Sequence, residues 1–223
     1  MKVIAIIPAF NEERTIEAVI SKLKQYVDDV IVIDDGSRDQ TSQVALQNGA
    51  KVYCHVINRG LGGALGTGLK AALLNGADVI VTLDADEQHD PAEIPKLIKP
   101  IIEGEVDAVI GSRFLIRQPM PLFRRMGIPF FNFITFLLFG IKSTDSQSGM
   151  RAFSKKAAQN LEIYARGVLE ASPEILRQIK IHKLKLKEVP IKSIYTPYSL
   201  SKGQRFSPGL KALIKLLILK LSK

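Results

Sequence analysis

Cysteine, histidine and long apolar runs are scarce in this chain of 223 residues, and each scarcity excludes a class of structure. A single cysteine, Cys54, cannot form an internal disulfide, which indicates a reducing cytoplasm. Three histidines beside one cysteine form no cluster with the spacing of a zinc site, and we expect His55 and His182 to lie in strands and to need no function. The uncharged run of 16 residues at 126–141 contains Pro129 and Asn132, and it is shorter than the ~20 apolar residues that span a bilayer.

Two signals of other protein classes are also missing. The glycine-rich segment 60–68 lacks the Gly-Lys-Ser/Thr ending of a P-loop, and no acidic residue follows it at dinucleotide-fold spacing. We predict instead that this segment begins a helix whose small residues allow close packing. The apolar start of the chain has neither a charged n-region nor a small-residue cleavage site, so we expect no secretory signal and a protein on the cytoplasmic side of the membrane.

Charge is distributed unevenly along the chain, whose net charge is +9. Residues 1–112 contain 10 lysines and arginines against 17 aspartates and glutamates, whereas residues 113–223 contain 21 against 5. The acidic half suits a metal ion and nucleotide hydroxyls, and the basic half suits phosphate groups or an anionic membrane surface. Nucleic acid is the competing partner, but the basic residues accompany long aliphatic stretches and no aromatic stacking platform. We therefore predict no nucleic-acid partner.

Length and composition predict one large α/β unit. A hydrophobic content of 46% with a mean hydropathy of +0.11 provides a sizeable core. We expect a single domain over residues 1–207, with a nucleotide-sugar-binding half at 1–113 and an acceptor half at 114–207. A basic amphipathic helix is predicted at 208–223.

Three apolar runs are predicted to be strands of one parallel sheet, and each ends in polar residues. The runs are 3–7, 30–33 and 78–83. The first stops at Pro8, and the others lead into Asp34 and Asp84. Because the carboxyl ends of parallel strands meet at one edge of a sheet, we expect the polar residues that follow them to lie together.

The segment 84–89 suits a divalent cation. It places Asp84, Asp86 and Gln88 directly after the third apolar run. Hard oxygen ligands of this kind can hold Mg²⁺ or Mn²⁺ against the phosphates of a nucleotide. Asp86 and Gln88 are the leading predicted ligands, with Asp84 in direct or water-mediated contact. An acidic turn is the alternative for this motif taken alone.

Six short motifs occur in order along the chain. They are 8–12 (PAFNE), 34–37 (DDGS), 62–66 (GGALG), 84–89 (DADEQH), 111–113 (GSR) and 145–151 (DSQSGMR). This ordered set resembles the family 2 glycosyltransferases, and within them the dolichol-phosphate mannosyltransferase and polyprenyl-phosphate glucosyltransferase branch. The likeness runs from about Lys2 to Tyr195. It implies a nucleotide-sugar donor and a GT-A (Rossmann-like) α/β fold, with a mostly parallel central sheet flanked by helices.

The resemblance and the strand ends together assign roles to individual residues. Asp86 and Arg113 are the predicted catalytic residues. The predicted donor-binding residues are Pro8, Phe10, Glu12, Asp34, Asp35, Asp84, Ala85, Lys202 and Arg205. The predicted acceptor-phosphate residues are Arg113, Arg124, Arg125, Ser148 and Arg151.

The activity that the resemblance implies is an inverting, metal-dependent transfer of a hexose to a polyprenyl or dolichyl phosphate. The acceptor phosphate is already ionised at neutral pH, so catalysis needs positioning and stabilisation of the leaving diphosphate rather than a strong base. Glu87 and Met150 depart from the family pattern, and the donor stays open between GDP-mannose and UDP-glucose.

Two other functions stay open on the sequence alone. Sugar transfer to a hydroxyl of a glycan or metabolite would need a carboxylate base, for which Asp145, Glu170 and Glu174 are available. A non-catalytic nucleotide-sugar or membrane-binding protein would be expected to lack a metal ligand or a nucleotide-loop residue, and all of them are present.

Two apolar segments predict contact with a membrane surface. The run 126–141 suits an interfacial or re-entrant helix, and in 208–223 the apolar residues share one helical face flanked by lysines. The alternative is that both segments pack on the sheet or form a dimer contact. We expect a cytoplasmic protein that associates peripherally with the membrane, either by itself or through a membrane-protein partner.

Overall fold

The computed structural model describes residues 1–165 and 167–198, so Lys202, Arg205 and the predicted helix 208–223 lie outside the described residues. The strands are β1 (Val3–Ala9), β2 (Asp29–Asp34), β3 (Lys51–Cys54), β4 (Val79–Thr82), β5 (Ala108–Ser112), β6 (Arg151–Ser154) and β7 (Leu186–Pro190). The helices are α1 (Ile16–Leu23), α2 (Thr41–Gln47), α3 (Gly60–Leu74), α4 (Ile94–Ile102), α5 (Leu122–Phe139), α6 (Lys155–Asn160) and α7 (Val168–Ile181).

The seven strands form one sheet in the order β3-β2-β1-β4-β6-β5-β7. Neighbouring strands are parallel except at β6, which is antiparallel to both β4 and β5. Six strands therefore run in one direction, and the predicted mostly parallel sheet of an α/β fold is confirmed.

The central strands form because their sequences are nearly continuous runs of isoleucine and valine. In β1, Ile4 and Ile6 point to one face of the sheet, whereas Ala5 and Ile7 point to the other, and all four are fully buried. Such runs are typical of parallel strands covered by helices on both sides. The sequence pattern thus determines the three-layer architecture.

Two apolar clusters fill the spaces between the sheet and its helices. One cluster lies under α1, α2 and α4 and includes Ile20 and Leu97. The other lies under α3, α6 and α7 and includes Leu69 and Ile175. On this second face a Cβ at Gly62 would lie 2.1 Å from the carbonyl oxygen of Ala165, so only glycine permits this close approach.

Three local predictions differ from the structure. The strand β1 does not stop at Pro8 but continues to Ala9, because beyond Ile6 it pairs with β2 alone and a missing N–H is tolerated at such an edge. His182, predicted to lie in a strand, ends helix α7. Pro129 does not break the apolar run, since α5 is one helix of 18 residues.

Candidate active site

The predicted motifs meet at the carboxyl ends of β1, β2, β4 and β5. These four strands run in the same direction, so their last residues lie along one edge of the sheet. Because β6 runs the opposite way, the loop 143–149 that precedes it reaches the same edge. The structure gathers the polar residues at one edge, as the sequence predicts.

Two hydrogen bonds fix the loop 143–149 on this edge. The Thr82 hydroxyl at the end of β4 donates to the Gly149 carbonyl at 2.7 Å. The Ser146 N–H donates to Asn132 Oδ1 on α5 at 2.9 Å. The loop is therefore held between the sheet and α5.

The Asp84 carboxylate lies between His89 and the loop 143–149. His89 Nε2 is 3.1 Å from Asp84 Oδ2, and it donates because an ionised carboxylate can only accept. Burial alone would raise the pKa of Asp84, but the hydrogen bond from His89 and the charges of Arg151 and Arg113 hold it below its ordinary value. Asp84 is therefore ionised at neutral pH.

Asp86 differs from Asp84 in its electrostatics. Burial raises the pKa of Asp86, and the neighbouring negative charge of Asp84 raises it further. The Asp86 carboxylate accepts from the Gln88 N–H at 3.1 Å and from the Gln88 side-chain Nε2, while Gln88 Oε1 accepts from Arg124. A chain of contacts thus connects Asp86 to the first turn of α5.

Two of the predicted metal ligands are carboxylates, and they would offer hard oxygen atoms to a divalent cation. Among residues 1–165 and 167–198, no group of three or more histidine, cysteine, aspartate or glutamate side chains could hold a metal ion. Asp84 and Asp86 can supply two carboxylates, and their mutual repulsion is relieved by a cation. Gln88 would add its oxygen only after its amide turns over, because Oε1 now faces Arg124.

Arg113, directly after β5, is buried and held by a bidentate ion pair. Its Nε and Nη2 donate to the Asp145 carboxylate at 2.6 and 2.7 Å, and its backbone N–H donates to the same group at 3.0 Å. Burial alone would lower the pKa of Arg113, but the hydrogen bonds and the charge of Asp145 outweigh this effect. The pKa of Arg113 is therefore raised. Asp145 is fully buried in this pair and is not a free base.

A second carboxylate that the sequence offers as a base also has a structural role. Glu174 on α7 accepts the backbone N–H groups of Tyr164 and Ala165 at 2.9 and 2.8 Å. Its burial raises the pKa of this carboxyl. The third candidate, Glu170, is buried on the same helix.

Arg151 begins β6 and is among the largest fully buried side chains. Its Nη2 donates to the Ser172 hydroxyl at 2.7 Å. Burial lowers the pKa of Arg151 to about 10, although the charges of Asp84 and Asp145 oppose that shift. The guanidinium therefore stays charged at neutral pH and adds positive potential beside Asp84.

Arg124 and Arg125 lie in the first turn of α5 and point differently. Arg124 is half-buried and reaches Gln88, and both burial and the charge of Arg113 lower the pKa of Arg124. Arg125 is exposed. The structure thus brings Arg124 to the edge with Arg113 and Arg151, and it leaves Arg125 on the surface.

Buried polar atoms without a hydrogen-bond partner concentrate at this edge. Within the part of the chain that the structure describes, they are His89 Nδ1, Ser146 Oγ, Gln147 Nε2 and Oε1, Ser148 Oγ, Arg151 Nε and Tyr195 OH. Nearly all buried polar groups in folded proteins are paired, so this concentration indicates the position of a polar ligand. The predicted acceptor residue Ser148 belongs to this set.

On the donor side, Asp35 holds the start of α3. Its two oxygens accept the backbone N–H groups of Arg59 and Gly60 at 2.8 and 2.7 Å. His55 Nδ1 lies 2.6 Å from Asp35, and His55 Nε2 lies 2.9 Å from the Thr67 hydroxyl. Asp35, a predicted donor-binding residue, therefore fixes the N-terminus of α3. Sequence reasoning assigned no role to His55, because its partners become neighbours only in the fold.

The other predicted donor residues lie around the ends of β1, β2 and β4. Asp34 is buried and accepts from the Ser37 N–H at 2.9 Å and from the Ser42 hydroxyl. Phe10, directly after β1, is 45% exposed, and Ala85, in the segment that follows β4, is buried. Pro8 is paired with β2 inside β1.

The segment 191–198 crosses from β7 towards the donor side. The Tyr198 hydroxyl donates to Glu12 Oε2 at 2.9 Å. Midway along the segment, the Tyr195 ring lies 5.4 Å from the guanidinium carbon of Arg124. Sequence reasoning missed both tyrosines, since neither belongs to one of the six motifs.

Comparison with known proteins identifies the family. The model of Glycosyl transferase family 2 matches residues 4–162. The chain is a family 2 glycosyltransferase. A UDP-N-acetylglucosamine–dolichyl-phosphate N-acetylglucosaminyltransferase of Methanococcus voltae is 43% identical, covering 98% of this chain and 96% of the relative. An undecaprenyl-phosphate mannosyltransferase of Micrococcus luteus is 33% identical, covering 74% and 71%.

Solved structures agree with the glycosyltransferase fold. Glucosyl-3-phosphoglycerate synthase of Mycobacterium tuberculosis in complex with phosphoglyceric acid matches with a TM-score of 0.76 at 22% identity, covering 99% of this chain and 79% of that chain. The same synthase with Mn²⁺ and UDP-glucose gives 0.72 at 24% identity. The predicted family, its polyprenyl-phosphate branch and the GT-A fold are confirmed.

Proposed function

We propose that the enzyme transfers a sugar from a nucleotide sugar to a polyprenyl phosphate in one inverting step. The observation that carries the proposal is the convergence of Arg113, Arg124 and Arg151 beside the Asp84–Asp86 pair. Guanidinium groups recognise phosphate oxygens through directed hydrogen bonds as well as charge. A cationic acceptor side next to an acidic donor side suits two phosphorylated substrates.

The lack of a free base among the candidate carboxylates supports a phosphate acceptor. Asp145 is ion-paired with Arg113, and Glu174 accepts two backbone N–H groups. A hydroxyl nucleophile would have to lose a proton, whereas a phosphate oxygen is already anionic. In the proposed step this oxygen bonds to the anomeric carbon, the bond from that carbon to the nucleoside diphosphate breaks, and no proton moves.

The relatives guide the choice of donor. The Methanococcus relative is named for UDP-N-acetylglucosamine, and its identity of 43% extends over nearly the whole chain. We therefore put UDP-N-acetylglucosamine first. GDP-mannose stays as a second candidate because the Micrococcus relative is named a mannosyltransferase. UDP-glucose, an expectation of the sequence, is the third.

A divalent cation completes the proposed donor site. Asp84 and Asp86 would hold it, with Gln88 as a further oxygen ligand. These residues would hold Mg²⁺ or Mn²⁺, whose charge would stabilise the leaving diphosphate. His89 keeps Asp84 in place, and Asp145 does the same for Arg113. These two partners therefore position the groups that would contact the substrates.

Helix α5 connects the site to the membrane in this proposal. Among the described residues it is the one helix long and apolar enough to cross a membrane by length and composition, with a mean hydropathy of 1.3. One face is attached to the domain, where Ile128 and Thr135 are buried and Asn132 Nδ2 donates to the Thr144 carbonyl at 2.8 Å.

The opposite face of α5 is apolar and exposed. Its residues recur at helical spacing and are 51–68% exposed: Met126, Phe130, Phe133 and Leu137. A helix with one face on the domain cannot be surrounded by lipid. We therefore place α5 flat in the membrane interface, with its apolar face in the acyl boundary and Arg124 at the level of the lipid phosphate.

The test is transfer of labelled sugar to a short polyprenyl phosphate. UDP-N-acetylglucosamine, GDP-mannose and UDP-glucose are supplied in parallel with Mg²⁺ or Mn²⁺, and again with excess chelator. We expect one donor to label the lipid, with chelator abolishing turnover and Asp86→Ala reducing it by about 100-fold or more.

The matched control is Glu103→Ala, which removes an exposed carboxylate of the same half and should leave turnover unchanged. Product from no donor, or wild-type turnover in Asp86→Ala, would contradict the proposal.

A further inference from the structure

Tyr195 has no part in the function proposed above, yet it lies inside the acceptor side of the site. Its ring faces the guanidinium of Arg124 at 5.4 Å. Its hydroxyl is buried and has no hydrogen-bond partner among residues 1–165 and 167–198. Burying a hydroxyl costs free energy unless the hydroxyl has a hydrogen-bond partner.

The group in contact with Tyr195 is a hydrogen-bond donor. The Arg124 guanidinium carbon lies 5.4 Å from its ring, and the charge of Arg113 acts on Arg124, so both arginines belong to this side of the site. Guanidinium groups donate and cannot accept, and they leave the Tyr195 O–H hydrogen without an acceptor. An anionic oxygen between the two arginines would accept from all three side chains.

We propose that Tyr195 binds the acceptor: its hydroxyl donates a hydrogen bond to an oxygen of the acceptor phosphate that Arg113 and Arg124 hold. The cation–π contact with the Tyr195 ring also holds the Arg124 guanidinium in position. Tyr195 makes and breaks no covalent bond. The inference rests on the proposed function, because it takes a lipid phosphate as the acceptor.

The test compares Tyr195→Phe, which removes only the hydroxyl, with Tyr53→Phe. Tyr53 lies on β3 and its hydroxyl pairs with Asn75 at 3.1 Å, remote from the acceptor side, so it controls for the loss of a phenol oxygen. Steady-state kinetics give both KM values, and calorimetry measures binding of the short polyprenyl phosphate without donor.

We expect Tyr195→Phe to weaken acceptor binding and raise the acceptor KM by at least about tenfold, with the donor KM and the melting temperature unchanged. Tyr195→Leu, which also removes the ring under Arg124, should lose more. Tyr53→Phe should match the wild type.

Unchanged acceptor affinity in Tyr195→Phe would overturn the inference. A rise confined to the donor KM would also overturn it, since the hydroxyl would then face the donor diphosphate. If the wild type binds the lipid phosphate but transfers no sugar, the proposed function fails. The ratio of the acceptor affinities of Tyr195→Phe and the wild type then still decides the role of Tyr195. If the wild type does not bind the lipid phosphate, both fail.

Discussion

At the scale of single residues, the position of the Asp84 carboxylate depends on Gly149, which has no side chain. Gly149 packs against the Asp84 carboxylate so closely that a Cβ there would lie 2.4 Å from Oδ2. The same oxygen accepts from His89. Any residue larger than glycine must push the carboxylate away from His89 and out of the proposed metal site.

We therefore expect Gly149→Ala to reduce kcat by about 100-fold while costing about 1–3 kcal/mol of stability, as overpacking does. Turnover and thermal melting measure the two effects separately. The control is Gly127→Ala, because a Cβ at Gly127 has no atom within 4 Å. Near-wild-type kcat in Gly149→Ala would show that Asp84 need not hold its observed position.

The sequence predicts individual site residues but not their pairings. Arg113 can be found because it follows a strand, whereas its partner Asp145 lies 32 residues later and is a candidate base on the sequence alone. Their bidentate contact depends on β6 reversing direction beside β5. For the same reason His55 is missed, since its contact with Asp35 depends on the alignment of β2 and β3.

At the scale of elements, α5 combines a fixed face with an exposed apolar face. The sequence reveals the uncharged run, but not which side the domain covers. Asn132 settles this, because its side chain bonds to the Thr144 carbonyl and the Ser146 N–H on the loop of the site. Packing on the sheet covers one face of α5 only, since 11% of its residues are buried, and the alternative of a dimer contact stays a prediction.

The proposed interfacial position of α5 predicts that Phe130→Ser combined with Phe133→Ser weakens binding to phospholipid vesicles. Burying a phenylalanine contributes about 1.5–3 kcal/mol, so we expect at least a tenfold fall in the partition coefficient measured by sedimentation. The control combines Leu46→Ser with Leu74→Ser, which removes exposed apolar side chains from α2 and α3. Equal partitioning of the double phenylalanine variant and the wild type would refute the interfacial position.

At the scale of the whole molecule, the uneven distribution of charge along the sequence corresponds to an acidic part and a basic part of the site. The acidic first half provides Asp84 and Asp86, and the basic second half provides Arg113, Arg124 and Arg151. The fold class was predictable, because buried strands and ordered motifs are local features of the chain. The identity of the donor was not, since no motif along the chain specifies a sugar or a base.

The proposed function requires that the acceptor is a phosphate and not a hydroxyl. Its most direct test offers the wild-type enzyme two acceptors with the same short prenyl chain, the polyprenyl phosphate and the corresponding polyprenol, with the labelled donor that supports turnover. We predict labelled product from the phosphate alone, because the arginines of the site pair with an anion and Asp145 is not free to deprotonate an alcohol. Comparable product from the polyprenol would contradict this account.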